Sequence, residues 1–119
     1  MNMDLNSALM VERLAHPATR NVSFTGTNVD IKDYIGGVLV VQEIGASSGT
    51  LLGKIQHSTD NSLYTDVSTG TLTLATSGTT VQTLGLDTRA INRYVHYVGA
   101  PTVGAVDVGV YLIGQKQVK

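Results

Sequence analysis

The chain has no cysteine. That excludes a disulfide framework and any thiolate metal site, and it leaves the redox compartment open. It has no tryptophan and one phenylalanine, so a core must be filled mainly by Val, Leu and Ile. Charge is also scarce: Asp, Glu, Lys and Arg make up 14% of 119 residues, against roughly 25% in ordinary soluble domains. Eight basic and nine acidic residues leave a net charge of −1 with no basic stripe, which argues against nucleic-acid binding. The apolar runs are too short to span a membrane. The first residues carry neither a cationic flank nor a long apolar stretch of signal-peptide type, so synthesis and use without classical secretion are expected. One domain with one core is expected at this length.

What is present is Thr, Ser and Gly among short apolar segments. A lightly charged surface of this kind cannot repel neighbours and suits a protein packed against others; Thr also simply favours strands. The clearest stretch runs from Gly36 to Val67. Val38–Val41 is an unbroken apolar run, as in a strand buried on both faces. Gly45–Gly49 is a turn cluster. Leu51, Gly53, Ile55 and His57 alternate with Leu52, Lys54 and Gln56. Asp60-Asn61 marks a second turn, because both side chains can bond their own backbone. Strand, turn, strand, turn, strand reads as a central antiparallel meander.

Further strands are expected at Arg20–Phe24, at Val29–Ile31, around Leu72 and Leu74, over Thr79–Leu86 with a bulge near Gln82-Thr83, at Arg93–Val98, and from Val106 until Gly114 breaks the pattern. Asp87–Asn92 suits a short helical turn, and Gly99–Thr102 a loop. Turn signals every eight to twelve residues suggest an antiparallel β-sandwich or barrel. Residues 1–18 differ from the rest. Leu5, Leu9, Met10, Val11 and Leu14 are apolar and Pro17 follows, which fits either one or two helical turns or an extended arm. Residues 19–119 form the sandwich, and the arm is a candidate contact with a partner or neighbouring subunit.

No catalytic constellation emerges. His16, His57 and His96 lack metal-ligand spacing. Ser58 beside His57 lacks a nucleophile elbow. Asp30, Asp33, Asp60 and Asp66 could supply paired acids or calcium oxygens, but turn formation explains them more cheaply. No metal and no cofactor are expected, and no enzyme activity. Arg89 and Arg93, near Asp87, form the only dense charge cluster. They are either intramolecular partners of acids or inter-subunit contacts.

Ile55-Gln56-His57-Ser58-Thr59-Asp60-Asn61 with Tyr64-Thr65-Asp66-Val67 resembles small β-sandwich virion proteins of tailed bacteriophages. So do Leu86-Asp87-Thr88-Arg89 with Arg93-Tyr94-Val95, and the closing Val110–Lys116. The resemblance covers roughly Pro17–Lys116 and is to capsid decoration, or cement, proteins. It implies a jelly-roll-like sandwich with an N-terminal arm, often a homotrimer. Such a protein is made in the host cytoplasm, sits on the capsid surface and bridges major capsid protein subunits. Leu5, Leu9, Met10, Val11, Leu14, Arg89 and Arg93 are then the candidate partner-binding residues. A second reading is a virion adhesion or carbohydrate-binding module, sited at Asp60-Asn61 and Gly99–Thr102, or a tail-associated structural protein.

Overall fold

The computed structural model describes residues 9–47, 49–75, 80–102 and 104–116. Among them every regular element is a strand: β1 (Leu9–Arg20), β2 (Phe24–Thr25), β3 (Val29–Asp30), β4 (Tyr34–Ser47), β5 (Thr50–Ser58), β6 (Thr65–Thr71), β7 (Thr80–Asp87), β8 (Tyr94–Thr102) and β9 (Val106–Lys116). They form two antiparallel sheets. Sheet 1 runs β1-β9-β4-β7. Sheet 2 runs β2-β8-β5-β6, with β3 also pairing β8. The antiparallel β-sandwich expected from the segment spacing is therefore present.

The core lies between the sheets and follows the two-residue period of the strands. From sheet 1 come Leu14, Val38, Val40, Ile44, Leu86, Val106, Val108, Val110 and Leu112; from sheet 2 come Leu51, Ile55, Val67, Val95 and Tyr97. The aliphatic core anticipated from the composition has one polar tie. Tyr97, on β8, donates its phenolic O–H to Gln42 Oε1, on β4, across the gap between sheets. Burial pushes the Tyr97 phenol well above its usual pKa, so it remains a donor. Gly53 lies beside this pair, where any added Cβ would collide with both side chains.

Several expected elements are redrawn. The stretch from Gly36 to Val67 is not one meander: β4 belongs to sheet 1, while β5 and β6 pair in sheet 2. Val38–Val41 is not buried on both faces, since Leu39 keeps 39% of its surface exposed between buried Val38 and Val40. The first strand lies earlier than Arg20–Phe24. β1 crosses the boundary expected after Ala18, pairs with β9, and puts Leu14 in the core at 0% exposure. Its extended form needs no helix nucleus, because a ready-made edge of β9 supplies hydrogen-bond partners.

β7 pairs with β4 in unbroken register, without the expected bulge. The apparent phase change dissolves because Gln82 and Leu84 point inward while Val81, 63% exposed, points out. Leu72 is buried just past the end of β6, where its N–H donates to the Gly53 carbonyl, and Ala75 forms an isolated bridge to Leu51. Asp87–Asn92 is a turn in which Asp87 accepts from the Arg89 backbone N–H. Gly99–Thr102 is strand, not loop, with Gly99, Ala100 and Pro101 paired to β5. Gly114 does not break β9. It continues the ladder and leaves room for the Tyr34 ring, which a Cβ there would meet at 2.5 Å. The Asp60-Asn61 turn is present: Asn61 has φ 60°, and Asp60 Oδ1 accepts from the backbone N–H groups of Ser62 and Leu63 at 3.0 and 3.1 Å.

Candidate partner-binding face

The outward residues of sheet 1 can be placed row by row from the strand register. Val11 on β1 sits opposite Ile113 on β9, which sits opposite Leu39 on β4, which sits opposite Gly85 on β7. One row away, Arg13, Tyr111, Val41 and Thr83 follow the same path. On the other side, Leu9 and Ile35 flank Gln115. Val81 lies opposite Glu43 at the β7 edge. Leu9, Val11, Ile35, Leu39 and Val81 expose between 39 and 64% of their surface, against solvent. The centre of the face carries no charge; Arg13, Glu43 and the Asp87–Arg89 pair stand around it.

A size follows from strand geometry. Four strands spaced about 4.8 Å apart, over about six residues at about 3.3 Å each, enclose on the order of 300 Å². That falls in the range of the largest apolar patches on monomeric proteins, which are often functional. Two hollows indent the face. Near one end Gly36, Gly37 and Gly85 leave bare backbone beside Val38, Leu86 and Arg89, a trough of about 370 Å³. Gly36 has φ 72°, a left-handed conformation that fits glycine, at the register shift between Ile35 and Val38. Near the other end Pro17 packs over Gly109 beside Glu43, Asp107 and Tyr111, framing a notch of about 270 Å³.

The opposite outer surface, that of sheet 2, is built differently. Gln56 donates to Asp66 at 2.8 Å, and Lys54 pairs with Asp66 at 3.1 Å. Those two donors, Gln56 first, hold the Asp66 carboxyl below its usual pKa. His96 sits within 2.8 Å of both Gln56 Oε1 and Asn28 Oδ1, and the Tyr64 ring stacks on it at 3.8 Å. Burial under that ring lowers the His96 pKa. Arg93 grips Asp30 through Nε and Nη2, which lowers the Asp30 pKa despite its partial burial, and it lies 5.0 Å from the Tyr94 ring centroid.

The structure sorts the residues singled out from sequence. Leu9 and Val11 lie on the outer face of sheet 1. Arg89 lies at its end, with 87% of its side chain exposed and its guanidinium on Asp87. Met10 packs against the core and Leu14 is wholly inside it, so neither side chain presents itself to a partner. Arg93 lies immediately before β8, on the sheet 2 side, and takes the intramolecular alternative, paired with Asp30. Leu5 lies outside the described residues. Ile35, Leu39, Val41, Tyr111, Ile113 and Val81 were not singled out from sequence. Their signal is the apolar residue at every second position of strands that already have an apolar inner row, visible once the inner phase is known. Among the described residues no three His, Asp or Glu side chains converge as a metal site would require, and no helix is long and apolar enough to cross a membrane. The chain matches no known protein-family model and no curated protein.

Proposed function

We propose that this chain is a structural protein of a tailed-phage virion, which binds the outside of the capsid and bridges major capsid protein subunits as a cement protein. The observation that carries the reading is the uncharged apolar outer face of sheet 1, from Val11 through Ile113 to Leu39. On the order of 300 Å² is well short of the ~800 Å² per partner of a standard stable interface. A single copy would bind weakly, and many copies on a repeating shell would hold firmly through effective concentration. The strand orders β1-β9-β4-β7 and β2/β3-β8-β5-β6 also support the jelly-roll form that the resemblance implies. The resemblance favours a homotrimer on the capsid surface.

Removing residues 1–15 would strip most of β1 from the sandwich, so a truncation cannot separate loss of binding from loss of fold. Leu39→Lys combined with Ile113→Lys is better, because both side chains are on the outer face. The double variant should fold, and in co-sedimentation with undecorated capsids it should lose binding at least tenfold. Full occupancy by the double variant would overturn the reading.

A second reading, a glycan-binding module, draws on the Tyr64 ring held flat on His96, with Asp60 and Asn61 in the adjoining turn. The loop expected at Gly99–Thr102 cannot contribute as a loop, since it is strand. Tyr64→Ala should then abolish binding on a glycan array; an array without hits for the wild type rules it out.

A further inference from the structure

Among the described residues β7 differs from the other sheet edges. An open edge offers unpaired N–H and C=O groups, and proteins blunt such edges with charges, proline, bulges or brevity. β1 carries Glu12, Arg13, His16, Pro17 and Arg20, and its register with β9 shifts twice. β6 carries Asp66, and its register with β5 shifts between Lys54 and Gln56. β2 and β3 are two residues each. β7 has none of these devices. Its 8 residues, Thr-Val-Gln-Thr-Leu-Gly-Leu-Asp, are paired to β4 throughout, and the only charge is the final Asp87. Among the described residues no strand pairs with its other side.

We propose that β7 is the contact between two copies of this chain, paired antiparallel with itself about a two-fold axis at Thr83. The inference shares the outer face of sheet 1 with the capsid reading but does not require a capsid, and it puts a two-chain contact in place of the homotrimer that the resemblance implies. The sequence of β7 complements itself in this register. Residues facing each other across an antiparallel pair must point to the same side, so the two-fold passes midway between two copies of one residue and pairs Thr83 with Thr83. Val81 then lies opposite Gly85, and Gln82 opposite Leu84. Val81 is 63% exposed, and a Cβ built at Gly85 meets nothing within 4 Å, so the valine of one copy finds space over the glycine of the other. Thr–Thr cross-strand pairs are favourable. No charge from residues 80–86 is brought opposite a like charge. Along this edge a cleft of about 410 Å³, lined by Gln82, Thr83, Leu84 and Thr71–Thr73, leaves room for the partner's side chains. The two sheets 1 become one eight-stranded sheet, and their apolar outer faces join into a single plate twice as wide.

The test is the mass in solution of the full chain, by light scattering coupled to size exclusion and by native mass spectrometry. The wild type should have the mass of two chains. Thr83→Lys and Thr83→Glu, each placing like charges against themselves at the axis, should each fall to one chain with an unchanged circular dichroism spectrum. Mixing T83K with T83E should restore the two-chain species as a heterodimer, a rescue that damage to the fold could not produce. A wild type of one chain or of three chains, or a T83K variant that keeps the wild-type mass, overturns the proposal. Capsid co-sedimentation is read separately: a dimer that ignores capsids defeats the functional reading and leaves this contact standing.

Discussion

The two outer surfaces of this sandwich are made from the same kind of strand and finished differently, although sheet 2 also exposes an apolar side chain, Leu52, at 41% on the outer face of β5. On sheet 2, Lys54, Gln56, Asp66, His96, Asn28, Asp30 and Arg93 bond one another, and Tyr64 lies over the imidazole. On sheet 1 the outer rows instead carry Val11, Ile113, Leu39 and Val41, apolar neighbours of one another on the outward face. A polar surface can be completed within one chain, because donors and acceptors satisfy each other locally. An apolar surface is completed only by contact, since water is its sole alternative neighbour. That difference is why the proposed function places the contact on sheet 1 rather than on sheet 2.

The sharpest way to break this comparison is within β1 itself. Leu14 and Val11 are three residues apart on one strand, at 0% and 64% exposure. Leu14→Ala should cost about 2–5 kcal/mol in urea unfolding, the range for leucine truncated in a packed core. An intermediate effect belongs to pH on the sheet 2 side. Burial depresses the His96 pKa in the folded chain relative to about 6.5 when unfolded. The unfolded state therefore takes up the proton first as pH falls, so the contribution is complete above about pH 6.5 and is lost below it. The melting temperature should be lower at pH 5 than at pH 7.5. Tyr64→Ala, which uncovers the imidazole, should flatten that dependence; a pH-independent wild type would show that the stack does not bury His96 in solution. The smallest effect is expected at Val11→Ala, within about 0.5 kcal/mol, as for ordinary surface positions. If Val11→Ala instead destabilised the monomer like Leu14→Ala, the outer row of sheet 1 would be core and the comparison would fail.

Much of the architecture was legible in the sequence. Val106, Val108, Val110 and Leu112 alternate with polar or small residues, and all four are inside. Leu51, Gly53 and Ile55 share the inner face of β5 as their spacing predicts. The Asp60-Asn61 turn forms because an Asx side chain can cap its own loop. Other positions misled. Val38–Val41 reads as doubly buried because the exposed face and the core face of β4 carry the same residue types here. Gly99–Thr102 reads as a loop because Gly and Pro punctuate most chains, yet Pro101 fits in β8, where the aliphatic Leu51 lies opposite. The opening segment reads as separate because Leu5 to Leu14 lack strict alternation. From Leu9 to Leu14 the strand in fact alternates, with Leu9 and Val11 outside and Met10 and Leu14 inside, so apolar residues on both faces hide the period.

By itself the sequence determined that this chain makes short antiparallel strands around an aliphatic core, because a two-residue period and turn chemistry are local properties. It also determined that no dense field of charge would keep neighbours away. Tertiary structure alone decided which sheet each strand joins, that β4 and β5 part company at the turn between them, and that Leu14 serves the core while Leu39 faces out. Those outcomes depend on contacts between residues distant along the chain, and a pattern of alternation is the same whichever side of the sheet meets the core.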